Sequence, residues 1–248
     1  MAAASTSGGA TPMCRSMRQS PFEAPASVAW GRMPCMVELP SPVPEQIVGL
    51  PRDGRGYPVP AENDWPDGEP SLAIQDWQRF GVLFANGRCS ICGCKMRPND
   101  LRYRPTGDED RRKSQLAGNN RRSDGLTHYE CSLFLAMICP FFATPQARHS
   151  ESGAERGRFA AILGFKRVDM IRGQDANGDV HVVEFWYSDL EDPIVFKHPG
   201  ELADRLAVAV ANAEPIDVDD RLYWRSAAEL APAWEETQNI LVPSRQSP

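Results

Sequence analysis

An α+β fold is what this sequence of 248 residues predicts, on three observations. Two short cysteine and histidine pairs, Cys89/Cys92 and His128/Cys131, are separated by a long polar stretch. Strand-like apolar runs flank the turn signal Asp175-Ala-Asn-Gly178. Helical periodicity occupies the segments before, between and after these features.

The elements follow in chain order. Residues 1–35 are rich in Ala, Ser, Gly and Pro with little to pack, so a disordered N-terminal segment is expected. Residues 36–70 carry prolines at 40, 42, 44, 51, 58, 60, 66 and 70 that exclude a long helix, and read as a Pro-rich extended arm held to the core through Tyr57, Val59 and Trp65. "SLAIQDWQRFGVLFANG" predicts a short helix with Ser71 as cap, ended by Gly87. After the first cysteines, "RPNDLRYRPTGDEDRRKSQLAGNNRRSDG" predicts a long loop or a frayed hairpin. "LTHYECSLFLAMICPFF" has the strongest helical pattern. Thr127 at N-cap and Glu130 three positions on suggest a capping box, and Pro140 stops the helix. Beyond a second polar loop, "KRVDMIRGQDANGDVHVVEFWY" predicts a β-hairpin, with "DPIVF" as an added strand. "PGELADRLAVAVANA" is an amphipathic helix with Leu202, Leu206, Val208 and Val210 towards one face. A last helix, "DDRLYWRSAAELAPAWEETQ", is interrupted by Pro232.

Composition limits the function classes. Hydrophobic residues are 42% and charged residues 24% of the chain, ordinary for a globular protein. No apolar run approaches the roughly 20 residues that span a bilayer. No secretory h-region opens the sequence, so a reducing cytoplasm is expected, where clustered cysteines favour metal over disulfide.

The metal reading rests on spacing. Cys89-Ser-Ile-Cys92-Gly93 is a zinc-knuckle turn, and His128 and Cys131 lie one helical turn apart, so all four side chains can reach one point. Together they form C-x2-C-x35-H-x2-C, a Cys3His set for Zn2+. A knuckle, a connecting segment and a helix whose start supplies two ligands is a treble-clef-like order. Cys94 is the alternative ligand in place of His128 or Cys92, while Cys139 reads as core and Cys14 and Cys35 as idle. Four protein ligands close the site. Were His128 not bound, three cysteines would leave a water position with Glu130 as the nearest base. Residues 95–127 hold no histidine for nuclease chemistry, and His149, His181 and His198 lack partners at ligand spacing. A phosphate-cradling glycine loop and a nucleophile elbow are both absent.

Charge is uneven. Residues 96–173 hold 14 Lys/Arg against 9 Asp/Glu, and residues 174–248 hold 5 against 15. Arg97, Arg102, Arg104, Arg111, Arg112, Lys113, Arg121 and Arg122 follow the knuckle and are candidates for phosphate or partner contact. Asp100, Asp108, Glu109, Asp110 and Asp124 interrupt them, so a solvated mixed-charge loop competes with that reading.

The order "LPRDGRGYPVP", "RCSICGCKM", "HYECSLFLAMICPFFATPQARH" resembles a family of bacterial and phage-associated proteins with no established activity. Its marks are a G-x-PVP arm, a CxxCG knuckle, an HxxC helix and a CPF-x-x-x-P ending, across roughly residues 50–149. The resemblance implies Cys89, Cys92, His128, Cys131 and Cys139 as matching positions. The basic insert after Met96 departs from that pattern.

The expected organisation is therefore a zinc-stapled treble-clef-like module at 71–150, with an acidic hairpin-plus-helices region at 151–248 packed on it. Three functions compete: a zinc-stabilised binding protein engaging nucleic acid or an acidic partner, a zinc enzyme with an open cysteine site, and a protein-protein scaffold.

Overall fold

The computed structural model describes residues 37–72, 74–106, 121–122, 125–139, 161–174, 180–196 and 199–241. The expectation for residues 1–35 lies outside them, as do Arg111, Arg112, Lys113, His149, His198 and the Asp175–Gly178 turn. The residues from Pro34 onward form one unit.

The sheet is four-stranded and antiparallel. Its strands are β1 (Arg102–Thr106), β2 (Arg121–Arg122), β3 (Ala161–Gln174) and β4 (Val180–Val195), in the order β1-β3-β4-β2. β3 and β4 are the expected hairpin, longer than the sequence suggests. "DPIVF" is not a further strand, because Ile194 and Val195 pair with Ile162 and Ala161 as the end of β4. The segment after the knuckle is neither a plain loop nor a frayed hairpin. β1 pairs with β3 and β2 with β4, so its two strands lie on opposite edges of the sheet. Long-range partners supply the hydrogen bonds that short polar strands cannot offer each other.

Helix α1 is a single turn, Glu45–Val48, within the arm. α2 spans Trp77–Ala85, and Asp76 caps it by accepting from the Gln78 and Arg79 amides. Ser71 is not the cap, because the Asp64 N–H bonds the Ile74 carbonyl and Asn63 bridges Gln75, which keeps the preceding residues extended. α3 spans Tyr129–Ile138 and begins one residue later than expected, with His128 at N-cap and no side-chain cap. The capping box is absent. Thr127 Oγ1 donates instead to the Tyr103 carbonyl at 2.8 Å and bonds the Ser132 hydroxyl, tying the helix start to β1. α4 (Pro199–Asn212) buries Leu202, Leu206 and Ala209, while Val208 faces solvent. α5 (Ala227–Leu241) runs on through Pro232, with Leu230, Trp234 and Thr237 buried on both sides of it. Among the described residues no helix is long and apolar enough to cross a membrane.

Alternation along β3 explains the core. Ala161, Leu163 and Phe165 join Phe80, Phe185 and Tyr187 in one apolar cluster. Ile162, with the opposite parity, joins the knuckle cysteines and α3 in another. α2 contributes Phe80 to the sheet cluster and Val82 and Leu83 to a third cluster with α5. The arm is stitched to the knuckle by Ala61 N–H to Ile91 carbonyl at 2.9 Å and Glu62 N–H to Ser90 carbonyl at 3.0 Å. Val59 is fully buried, and Trp65 meets Tyr223 edge-on.

Candidate metal centre

The knuckle closes on itself before any metal is considered. Gly93 N–H donates to the Cys89 carbonyl at 2.8 Å, and Cys89 N–H to the Cys94 carbonyl at 2.9 Å. Gly93 has φ 72°, in the left-handed region that glycine enters without steric cost. This turn points Cys89 and Cys92 to one side. The start of α3 faces it, with His128 on extended backbone at N-cap and Cys131 in the first turn.

These elements bring four ligand atoms together. One atom each from Cys89, Cys92, His128 and Cys131 lies within 4.8 Å of all the others, and all four residues are buried. His128 Nδ1 is 3.4 Å from Cys92 Sγ and 3.9 Å from Cys131 Sγ. Tetrahedral bonds of about 2.3 Å from metal to sulfur place ligand atoms about 3.8 Å apart, so both spacings are those of a coordination edge. On the other side of the ring, Nε2–H donates to the Lys95 carbonyl at 3.3 Å. Once the ring is neutral, that bond leaves Nδ1, the nitrogen that faces the thiols, as the one without a proton. The set can hold a metal ion.

The electrostatics of the metal-free cluster agree with that capacity. Burial pushes the Cys92 and Cys131 thiols well above the usual range. Burial also opposes charge on Cys89, but hydrogen bonds from Cys131 and Cys92 and the His128 imidazolium hold it well below. Burial would lower His128, yet the adjoining Cys89 thiolate raises it to about 9. The imidazolium thus supplies the positive charge that a dication supplies when bound.

Cys94 is buried but lies outside the four-residue set. Its Sγ–H donates to the Cys92 carbonyl at 3.7 Å, while a hydrogen bond from the Cys92 side chain, aided by Arg221 and opposed by burial, lowers its thiol to about 7. Cys139 caps the far end of α3.

A strap at residues 219–225, which spacing in the sequence does not reveal, closes over the knuckle. Leu222 N–H donates to the Gly93 carbonyl at 3.0 Å, Arg88 pairs with Asp220 at 2.9 Å, and Tyr223 Oη donates to the Val59 carbonyl at 3.0 Å. Glu62 is also buried beside this region. Its carboxyl accepts from Gln75 at 3.1 Å, and burial raises its pKa to about 8.

The basic candidates separate into two groups. Arg97 pairs with Glu214, Arg102 donates to the Asp100, Arg97 and Pro98 carbonyls, and Arg104 is buried with its guanidinium over the Tyr187 ring. Arg121 and Arg122 lie on the edge strand β2, and Arg111, Arg112 and Lys113 fall in the connection outside the described residues.

No family model, no curated protein and no solved structure matches this chain.

Proposed function

We propose that the chain is a zinc-stapled, non-enzymatic binding protein of a reducing, cytoplasmic compartment. The observation that carries this reading is the fourfold cluster itself, three sulfurs and one nitrogen within 4.8 Å of one another and buried. Three thiolates with one imidazole are a zinc donor set, and four protein ligands leave no position for a reacting water. Such a site is a fold staple. The knuckle, β1 and the α3 start that supplies two ligands support a treble-clef-like module.

The partner surface in this reading is the connection between β1 and β2 together with the β2 edge, carrying Arg111, Arg112, Lys113, Arg121 and Arg122. Arg102 and Arg104, spent on contacts within the fold, support its framework instead. Nucleic acid is the partner whose charge suits that segment.

The test has two stages. Metal content and K-edge absorption on wild type and His128→Ala are expected to show one zinc on three sulfurs and one nitrogen, lost in the variant. Fluorescence anisotropy with labelled single- and double-stranded DNA and RNA follows. Affinity is expected to fall steeply between about 50 and 200 mM salt and to be lost when Arg111, Arg112 and Lys113 become alanine. An exchangeable oxygen on the metal would overturn the staple. No binding at low salt would overturn the nucleic-acid partner.

A further inference from the structure

A groove beside the start of α3 has the features of a second recognition site. Two cavities, of about 780 and 490 Å3, flank residues 213–216 and share Glu130, Glu214 and Ile216. Among the described residues, the amides of Glu214, Ile216 and Val218 make no backbone hydrogen bond, and residues 213–217, which lie between the cavities, belong to no helix or strand. The larger cavity has an apolar lining that includes Val43, Val48 and Val210. Its charged lining residues are Glu45, Glu130, Glu214 and Asp219 against Arg221, and of these Glu214 is paired with Arg97.

Gln46 lines the same cavity, and it is the observation that points to a ligand. It is 3% exposed, yet its Nε2 has no hydrogen-bond partner, although its backbone carbonyl is held by Arg221 Nη2 at 2.8 Å. Arg221 Nε is likewise buried without an acceptor. A buried donor without an acceptor costs about 1–3 kcal/mol, so its place in a fold calls for a partner. A carboxamide can donate to a carbonyl and accept from an N–H, which matches one peptide group.

We propose that this groove binds an extended peptide segment bearing lysine or arginine side chains, with the Gln46 carboxamide pairing one of its peptide groups. The strip at 214–217 offers strand-like main-chain pairing, the valines take alternate apolar side chains, and the Glu45, Glu130 and Asp219 carboxylates take the cations. Phosphate-bearing ligands are repelled by the same carboxylates. The site is therefore independent of the basic segment between β1 and β2, and of whether that segment binds nucleic acid.

The experiment uses the full chain as purified and a fluorescein-labelled octapeptide alternating valine and lysine. A valine–glutamate octapeptide and spermine are the controls. Anisotropy is expected to show binding of the basic peptide, weakened about tenfold by Gln46→Met, which keeps the packing volume. The surface pair Glu45→Lys with Asp219→Lys is expected to weaken it by more, and circular dichroism checks that both variants fold. Amide shifts of Ile216 and Val218 should move on titration. Absence of binding by the basic peptide, equal binding of the acidic one, or binding untouched by both variants overturns the proposal. Spermine that displaces the peptide and moves the same amides equally would make the site one for polyamines, and would overturn it too.

Discussion

Gly93 and Leu222 hold each other at the back of the knuckle. Leu222 N–H donates to the Gly93 carbonyl at 3.0 Å, and a Cβ added to Gly93 would overlap the Leu222 carbonyl oxygen. Two independent constraints thus fall on one residue, since Gly93 also has φ 72°. Gly93→Ala is expected to cost about 2–4 kcal/mol, more than backbone strain alone, because the strap must shift as well. Urea denaturation of the metal-loaded protein measures it. A cost below about 1 kcal/mol would mean that the strap is not seated on the turn.

Metal removal should be felt in the same strap. The knuckle that presents the Gly93 carbonyl is held on its other side by the shared ligand cluster. Stripping with a chelator is expected to raise amide exchange at Leu222 before that of β3 and β4, whose pairing is independent of the site. Exchange followed by mass spectrometry reads this directly. Equal loss of protection everywhere would instead mean that metal holds the entire fold.

Metal binding should also release protons. Near pH 7 the metal-free cluster has Cys92 and Cys131 protonated by burial, Cys89 as thiolate, and His128 protonated, its pKa of about 9 lying above the solution pH. Three thiolates and a neutral imidazole are needed to bind, so about three protons leave per ion. Affinity therefore falls as pH falls. Calorimetry in buffers of different ionisation enthalpy counts the protons, and fewer than about two would place the metal on a smaller ligand set.

Glu62 predicts a separate pH dependence. Its folded pKa, raised by burial from 4.5 to about 8, exceeds its unfolded value, so the folded state binds the extra proton in that window. Its contribution to stability is complete below about pH 4.5 and is lost as pH rises towards 8. Glu62→Gln keeps an acceptor for Gln75 and removes the titration. The variant is expected to gain about 2–4 kcal/mol over wild type between pH 5 and 8. Parallel stability curves for the two proteins would show that Glu62 is ionised when folded.

What the sequence makes legible depends on how far apart the partners are. Cys89/Cys92 and His128/Cys131 are each local pairs on a turn and a helix start, so their spacing marks them as one group whatever the length between. The hairpin and α4 are legible for the same reason, through periodicity within one segment. Thr127 is misleading because its hydroxyl has a choice, and the Tyr103 carbonyl on β1 wins over the helix amide. β1 and β2 carry no local pattern, since their partners arrive from the hairpin. The strap is invisible for a further reason: Arg88 meets Asp220 across 132 residues, and several of its bonds are to backbone groups that have no residue code. Gln46 is hidden in the same way, because only burial distinguishes it from any surface glutamine.

Arg79 is the most demanding of these distant contacts, and it gives the last prediction. It is 1% exposed on α2, faces Asp76 at 3.3 Å, and donates to the Trp224 carbonyl 145 residues away. One guanidinium therefore joins the cap of α2 to the strap that closes the knuckle. Removing it leaves a carboxylate without its cation and a carbonyl without its donor, next to the α2–α5 cluster that holds Trp224. Arg79→Ala is expected to lose about 3–5 kcal/mol. Arg79→Lys should recover less than half of it, because one ammonium cannot reproduce a planar fork reaching two acceptors in different directions. Denaturant midpoints of the three proteins decide the matter. Full recovery by lysine would show that charge alone is needed there, and that the fork geometry across the two elements is incidental.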